Sequence, residues 1–360
     1  MIHDFCFEMI IFDKSINYKH AMQTIKTILI FLCATTFVFA QGEPVELFRS
    51  EGIIPIQISY SNRDLKKNDN DTVFFDTTMK YQTIDGVWND INVGVRARGN
   101  FRRSTCYFPP IKMKIKKKDA KGTIFKGNKK LKLVLPCKLE KNNNDNILRE
   151  LIAYKLYEVI SPYHFKTRRV SVDFEEVKKR KTEKFALNGF LIEDDKNVAK
   201  RLESKNWDRF MHPMNMIPEA SVQNNFFQFM IGNTDFSTAY SHNGKLLANK
   251  DNKFIPVPYD FDMSGIVDPS YAVTNESLGL NSIQDRQYRG FKRDEAIVNT
   301  VRGQFTANKS KFFAIIEGFK ADFDNPKSHQ EVVEYIESFF TLIEDDKRYK
   351  SEIINQMRTK

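Results

Sequence analysis

The sequence predicts an α+β protein with a β-rich amino-terminal lobe over residues 41–145 and a second lobe over residues 146–360 that is mixed and then mainly helical. Three observations support this prediction. The segment Ile111–Lys116 alternates apolar and lysine residues, which is typical of a half-buried strand. Apolar residues within Val332–Ile343 form one helical stripe. The 360 residues are 41% hydrophobic and include 31 phenylalanines, enough to bury a sizeable core.

Short apolar segments predict the other strands of the β-rich lobe. These are Ile53–Ile58, Asn92–Ala97 and Lys132–Leu135. The polar cluster Asn142–Asn144 predicts a turn. A helix is predicted next, from Ile147 to Ile160, because its apolar residues recur at helical spacing and Ser161-Pro162 stops it.

The second lobe begins with two more strand-like segments, Arg169–Phe174 and Phe185–Ile192. A helix over Ala220–Ile231 then leads directly into an acidic loop. The capping-box pattern Ser328–Glu331 predicts the start of the last apolar helix. Two lobes with a cleft between them fit this order of elements.

The pattern of the first 40 residues predicts a targeting signal. From Met22, a charged start is followed by the apolar run Thr27–Phe39 and by Ala40, which predicts a secretory signal peptide over residues 22–40. Residues 1–21 then read as an upstream misannotated start. The apolar run is too short for a spanning helix. We expect an exported chain that begins near Gln41 and resides in the periplasm, in the cell envelope or outside the cell.

Removal of this leader leaves two of the four cysteines, Cys106 and Cys137. In an exported protein a lone pair is most simply a disulfide, here closing a loop of about 30 residues. Two cysteines alone make a poor zinc site, and neither lies in a Cys-x-x-Cys redox motif.

The net charge of +10 is spread along the chain, with short runs at Lys116–Lys118 and Lys178–Lys181. The sequence contains no recognition helix, zinc-finger spacing or aromatic RNA-binding motif. We therefore expect no nucleic-acid partner. The basic residues fit a solvated surface, or a surface suited to a phosphorylated or acidic ligand.

Two acidic motifs carry the functional prediction. Asn233-Thr234-Asp235 is followed by His242-Asn243, and a short hairpin separates these residues from Pro258–Asp262. Aspartate and asparagine oxygens suit Mg²⁺ or Mn²⁺ held against a polyphosphate. A lysine on a strand and a glutamate on the next helix complete the parts of a protein-kinase-like phosphotransferase.

The same motifs resemble the CotH (spore-coat protein H) kinase-like family. The likeness covers residues 90–270 and lies in Arg96–Asn100, Phe108-Pro109-Pro110, Asn233–Asp235 and Pro258–Asp262, in that order. The resemblance implies a two-lobed atypical protein-kinase-like fold. It also implies transfer of the ATP γ-phosphate to a protein substrate with a divalent metal.

The resemblance also implies roles for individual residues. Lys114 matches the phosphate-binding strand lysine, with Lys112 on the same face as the fallback, and Glu150 is the candidate partner of that lysine. Asp235 resembles the catalytic aspartate. The remaining expected residues are a phosphate-facing turn, Arg98, Gly99 and Asn100, and the metal ligands Asp260, Asp262 and Asn243.

Each of these residues also has a plain structural interpretation. Glu150 fits an exposed carboxylate near a helix amino terminus, and Asp235 fits an Asx turn. Asp262 fits a cap on the following turn, and Gly99 fits a left-handed turn position. Asn243 lies eight positions after Asp235, which leaves the nearby residues His242 and Asn233 as alternatives.

Two other functional interpretations stay open at this point. The chain could be a catalytically inactive kinase-like protein that acts in envelope binding or assembly. It could also be a metal-dependent hydrolase built on Asp235, Asp260 and Asp262, although it lacks the histidine-rich ligand sets common in such sites.

Overall fold

Seven strands form a closed barrel in this computed structural model, which describes residues 42–68, 70–274 and 276–359. The strand order around the barrel is β1-β2-β3-β4-β5-β7-β6. A separate three-stranded sheet has the order β10-β9-β8. The strands are β1 Ile54–Tyr60, β2 Phe75–Gln82, β3 Trp88–Ala97, β4 Ile111–Ile115, β5 Lys130–Val134, β6 Thr167–Val177, β7 Thr182–Ile192, β8 Lys205–Asn206, β9 Gly244–Ala248 and β10 Phe254–Pro258.

Ten α-helices lie among and after these strands in the described part of the chain. Three are short and belong to the barrel connections, one lies between β5 and β6, two lie between β7 and β9, and four follow one another at the carboxyl end. They are α1 Asn62–Lys67, α2 Asn100–Thr105, α3 Lys117–Ala120, α4 Asn143–Ile160, α5 Asp195–Arg201, α6 Pro218–Met230, α7 Glu295–Ala307, α8 Lys309–Gly318, α9 Pro326–Glu344 and α10 Asp346–Glu352.

The barrel closes through a parallel pairing between its first strand and a strand from much later in the chain. Ile54 of β1 lies opposite Val170 of β6, and β6 pairs along its whole length with β7. β7 in turn joins β5, so the barrel has no free edge between β5 and β1.

The prediction of a two-lobed, protein-kinase-like fold is therefore wrong. The β-rich part is a closed barrel, and two of its strands, β6 and β7, come after the helix that was expected to begin the second lobe. The remainder mixes a small sheet with helices. The physical reason for the error is that strand periodicity reveals which residues face a core, but not which strands pair to enclose it.

Two separate apolar cores follow from this arrangement. The inward residues of the barrel strands, such as Ile111 and Met113 of β4, are fully buried and form one core. The second core joins α4 and α6 to the carboxyl-terminal helices through aromatic residues such as Phe226, Phe305 and Phe339.

Most of the predicted local elements are confirmed. The helix predicted from Ile147 is α4, which begins four residues earlier because Asn143 and Asn144 form its first turn instead of a free turn. The last apolar helix is α9, which begins at Pro326 with Asn325 as its cap, ahead of the predicted capping box at Ser328. Strand β2 was not predicted.

The expected disulfide is present. Cys106 follows α2 and Cys137 follows β5, and their Cα atoms lie 4.5 Å apart. The bridge packs against the ring of Tyr271 and against Met263. It therefore ties the end of α2 to the segment after β5.

No helix among the described residues is long and apolar enough to cross a membrane. The predicted signal peptide at residues 22–40 and the predicted upstream segment at residues 1–21 lie outside the described residues.

Candidate functional site

Two arginines come from the turn that ends β3. Arg98 follows the strand, and its backbone N–H donates to the carbonyl oxygen of Pro110. Gly99 adopts φ +73°, a left-handed conformation that glycine accepts without strain, and it begins α2. Arg102 lies in this short helix and is buried. The side chain of Asn100 is outside the described part.

Two aspartates come from the loop after β10. Asp260 has φ +65°, an uncommon conformation for a residue with a side chain. Its backbone N–H donates to the hydroxyl oxygen of Tyr154 from α4 at 2.8 Å. Between the aspartates, Phe261 is fully buried and its ring packs against those of Tyr154 and Phe227. The aromatic residue thus fixes both carboxylates against the helical core.

The arginines and aspartates meet as two ion pairs. Arg98 lies 3.5 Å from Asp260, and Arg102 lies 3.3 Å from Asp262. The hydroxyl of Tyr271 donates to Asp262 at 3.3 Å. Because Arg102 and Asp262 are both almost fully buried, neither charge can be solvated if its partner is removed.

Glu150 of α4 is buried beside these pairs, with 1% of its surface exposed. The exposed-carboxylate interpretation of this residue is therefore wrong. Its Oε1 atom has no hydrogen-bond partner among the described residues. Burial raises the pKa of Glu150 well above its usual range, and the nearby charge of Asp262 raises it further, while Arg102 opposes both.

The two aspartates titrate in opposite directions. Burial opposes ionisation of Asp260, but the charges of Arg98 and Arg102 outweigh it and hold the pKa of this carboxyl below its usual value. Burial raises the pKa of Asp262, and Arg102 offsets only part of that effect. The site thus contains one carboxyl, Asp260, whose pKa is lowered, and two, Glu150 and Asp262, whose pKa values are raised.

Lys132 of β5 brings an unpaired ammonium to the same region. Its Nζ atom is buried and has no hydrogen-bond partner among the described residues. It lies 4.3 Å from the ring centroid of Tyr259 and 4.9 Å from that of Phe165, so cation–π contacts replace part of its hydration. Burial, followed by the charge of Arg98, lowers the pKa of Lys132 to about 8.

A cavity of about 240 Å³ adjoins this site, and Arg98, Lys132 and Tyr259 form part of its lining. Six cationic and three acidic side chains line it, so the cavity favours an anion. The cationic residues are Arg96, Arg98, Arg103, Lys112, Lys132 and Lys245, and the acidic residues are Asp71, Asp194 and Asp195. We call this space the cationic cavity.

Asp235 lies on an exposed loop after α6. His242 Nε2 lies 3.0 Å from one of its carboxylate oxygens, and the amide of Asn243 donates to the other at 2.9 Å. Asp235 and His242 are each about half exposed. The loop reaches the end of β10, because the N–H of Tyr259 donates to the carbonyl oxygen of Asn243. Asp235 therefore lies on a loop bonded to the residue before Asp260.

The structure places Lys114 elsewhere. It is exposed on the outer face of β4 and lines a different cavity, of about 610 Å³, together with Phe74 and Asp76. Lys112, two residues earlier on the same face, lines the cationic cavity. The structure brings together four of the predicted residues, Arg98, Glu150, Asp260 and Asp262. The adjoining cavity is lined by Gly99 and Lys112. The neighbouring loop contains Asp235 and Asn243.

The donor chemistry at Asp260 and Asp262 suits Mg²⁺, but the side chains as placed do not form a metal site. Each carboxylate is paired with an arginine, and Asn243 directs its amide to Asp235 instead. No group of three or more His, Cys, Asp or Glu side chains that could hold a metal is present in the described ranges.

Sequence reasoning missed Arg102, Lys132 and Tyr154. Arg102 lies only two residues beyond the Arg-Gly-Asn motif, so the position of that motif before a short helix was a usable signal. The sequence did not single out Lys132. Like Lys112 and Lys114, it lies in a strand that alternates lysine with apolar residues, so the pattern does not distinguish the three.

Comparison with known proteins leaves the site to be interpreted from its geometry. No protein-family model matches the chain, and no curated protein matches it. The resemblance to the CotH kinase-like family therefore rests on the motifs within residues 90–270 and stays a prediction.

Proposed function

We propose that the cationic cavity binds the phosphate groups of a nucleotide, and that the chain is an exported phosphotransferase that moves the γ-phosphate of ATP to a protein hydroxyl. One observation carries this proposal. The buried Nζ atom of Lys132 has no hydrogen-bond partner among the described residues and lies at a cavity where cationic side chains outnumber acidic ones. A phosphate oxygen would supply the missing partner.

Each group has a chemical role in this proposal. Lys132 and Arg98 would hold phosphate oxygens and offset their charge, which is the main requirement of phosphoryl transfer. The substrate hydroxyl oxygen bonds to the γ-phosphorus as the bond from that phosphorus to the β–γ bridging oxygen of ATP breaks, and ADP leaves. Asp235, oriented by His242 and Asn243, would accept the hydroxyl proton.

The test is ATP-dependent stabilisation of the protein, measured as a shift in melting temperature with and without Mg²⁺. We expect the shift in the unmodified chain and its loss in Lys132→Met. Lys114→Met is the matched control, because it removes a strand lysine from the same barrel outside the cationic cavity. An equal shift in both variants, or no shift in the unmodified chain, would rule out the proposed phosphate site.

The second candidate function is nucleotide or anion binding without catalysis, in an envelope binding or assembly role. The pairing of Asp260 with Arg98 and of Asp262 with Arg102 favours it, because both carboxylates already have cationic partners. Incubation with ATP labelled at the γ-phosphate separates the two. Incorporation into protein that is lost in Asp235→Asn supports transfer, whereas binding without incorporation supports the second candidate.

A further inference from the structure

The connection between β4 and β5 is the most basic segment of the barrel. Residues 116–130 contain seven lysines and one aspartate, a net charge of +6 out of +10 for the whole chain. All seven lysines are exposed. Among the described residues, Lys116 alone of the seven has an ion-pair partner, the exposed Asp76 at 3.9 Å. The charge of this segment is therefore almost uncompensated.

The segment is held firmly despite this charge. Phe125 is fully buried, and its ring packs edge-on against that of Tyr81 from β2, with centroids 5.0 Å apart. The buried side chain of Asn128 donates to the carbonyl oxygen of Phe125. Asn197 in turn donates to Gly127 and Asn128. The lysines thus extend from an ordered platform rather than from a loose loop.

The hairpin turn between β2 and β3 lies at the same end of the barrel. β3 runs antiparallel to β4, with Val93 opposite Ile115, so the start of β3 and the end of β4 lie toward the same end of the barrel. This turn exposes three large apolar residues. Ile84 is fully exposed, Val87 is 52% exposed and Trp88 is 41% exposed. The turn carries Asp85, and Asp90 follows on β3, so residues 83–90 and 116–130 together retain a net charge of +4.

A cavity of about 610 Å³ opens within the lysine-rich segment. Carbon atoms form nearly all of its lining, which includes Ile115, Ala120 and the side chains of Lys117 and Lys121. This end of the barrel therefore combines an apolar turn, an apolar cavity and a surrounding set of cations.

We propose that this end of the barrel binds the surface of a membrane that contains anionic lipid. Lysines near such a surface are attracted to lipid headgroups, and exposed Ile84 and Trp88 suit the boundary between headgroups and acyl chains. A nucleic acid would leave the exposed aliphatic side chains of Ile84 and Val87 unused, and the aromatic residue within the lysine-rich segment, Phe125, is buried. An acidic protein would leave the apolar turn unused.

This surface is at the opposite end of β3 from Arg98 and does not depend on the proposed phosphotransferase function. A membrane bound there would leave the cationic cavity at the other end of the strand. The inference can therefore hold or fail whether or not the chain binds ATP.

The test is flotation of the full chain with phosphatidylcholine vesicles that contain about 30% phosphatidylglycerol, against vesicles of phosphatidylcholine alone. We expect binding to the anionic vesicles and weakening as salt rises from about 0.1 M to 0.5 M. Lys117→Gln with Lys121→Gln should reduce the partition coefficient roughly 25-fold, at about fivefold for each lysine.

Two further variants separate this surface from general basic charge and from an acidic partner. Lys179→Gln with Arg180→Gln removes the same charge from the exposed turn between β6 and β7, at the other end of the barrel, and should change binding less than twofold. Ile84→Ser should weaken vesicle binding roughly three- to tenfold and leave binding to polyglutamate unchanged.

Several outcomes would overturn the proposal. The first is equal binding to both vesicle types, and the second is an equal loss of binding in the two double variants. The third is vesicle binding that Ile84→Ser does not weaken, together with equally strong binding of the chain to polyglutamate. All variants share residues 1–40, so any contribution of that segment to binding cancels between them.

Discussion

The two acidic motifs of this chain lie in opposite environments. Asp260 and Asp262 are held inside the protein by arginines, with Glu150 buried beside them. Asp235 lies on an exposed loop, where its carboxylate is hydrogen-bonded to His242 and Asn243. The first motif is therefore part of the packed structure, whereas the second rests on its surface.

This difference determines what a mutation can reveal. A substitution in the buried cluster leaves a charge without a partner, so loss of activity there cannot be separated from loss of stability. A substitution at Asp235 removes two exposed contacts and leaves the core intact. The exposed loop is thus the better place to test chemistry, and the buried cluster is the better place to test electrostatics.

The largest effect is expected for Asp262→Ala. Arg102 would remain buried without its carboxylate partner, which should lower the free energy of unfolding by about 3–5 kcal/mol. Urea denaturation of the variant measures this loss. Asp251→Ala, in the exposed turn between β9 and β10, is the control and should cost less than about 0.5 kcal/mol. Equal losses in the two variants would show that Asp262 is not part of a desolvated pair.

Removal of the disulfide should have a slightly smaller effect. Cys106→Ala with Cys137→Ala opens a loop whose ends are 31 residues apart, so the free energy of unfolding should fall by about 3–4 kcal/mol. The bridge supports the end of the helix that carries Arg102, which links this loss to the buried cluster. Guanidinium unfolding under oxidising and reducing conditions checks it, since the reductant should destabilise only the unmodified chain.

Glu150→Gln tests the buried cluster through pH. Burial raises the folded-state pKa of Glu150, so the folded protein holds this proton more tightly than the unfolded chain. The stability that results is fully present below the ordinary pKa of 4.5 and is lost as pH rises through the raised pKa. The variant lacks this titration. Its stability relative to the unmodified chain should therefore increase above about pH 4.5, by up to about 1.4 kcal/mol per pH unit. Parallel stability curves from pH 5 to pH 7 would contradict the raised pKa.

The smallest effect on stability is expected at the exposed loop. Asp235→Asn should change the free energy of unfolding by less than about 1 kcal/mol, because the side chain is half exposed and its contacts are solvated. The same variant should abolish phosphate incorporation if Asp235 accepts the substrate proton. Thermal unfolding and the labelling assay are measured on one preparation. A large loss of stability would show that the loop is structural.

Local features of the site and fold were predictable from the sequence. Lysine alternation identified β4, apolar spacing identified α4, and the lone cysteine pair identified the disulfide. The strand, helix and disulfide signals depend on neighbouring residues or on simple counting, so no knowledge of strand pairing was needed. Arg98 and Asp260 were grouped by the resemblance to the CotH kinase-like family, and their side chains form an ion pair.

The choice between Lys114 and Lys132 was not predictable. Both project from the outer face of the barrel, and their strands have the same pattern of alternation. Lys132 is covered because Tyr259 and Phe165, from distant parts of the chain, pack against its ammonium group. Lys114 has a more distant cation–π contact, 5.5 Å from the ring centroid of Phe74, and stays exposed. Burial here is a property of tertiary packing, which strand periodicity does not contain.

The parallel pairing of β1 with β6 also constrains the order of folding. Ile54 meets Val170, 116 positions later, so the barrel cannot close until the segment beyond α4 is available to pair. Until β6 and β7 join, β1 and β5 lack the partner strands that cover their outer edges in the finished barrel. The last two strands therefore complete the barrel and also remove the edges through which a partly folded chain could aggregate.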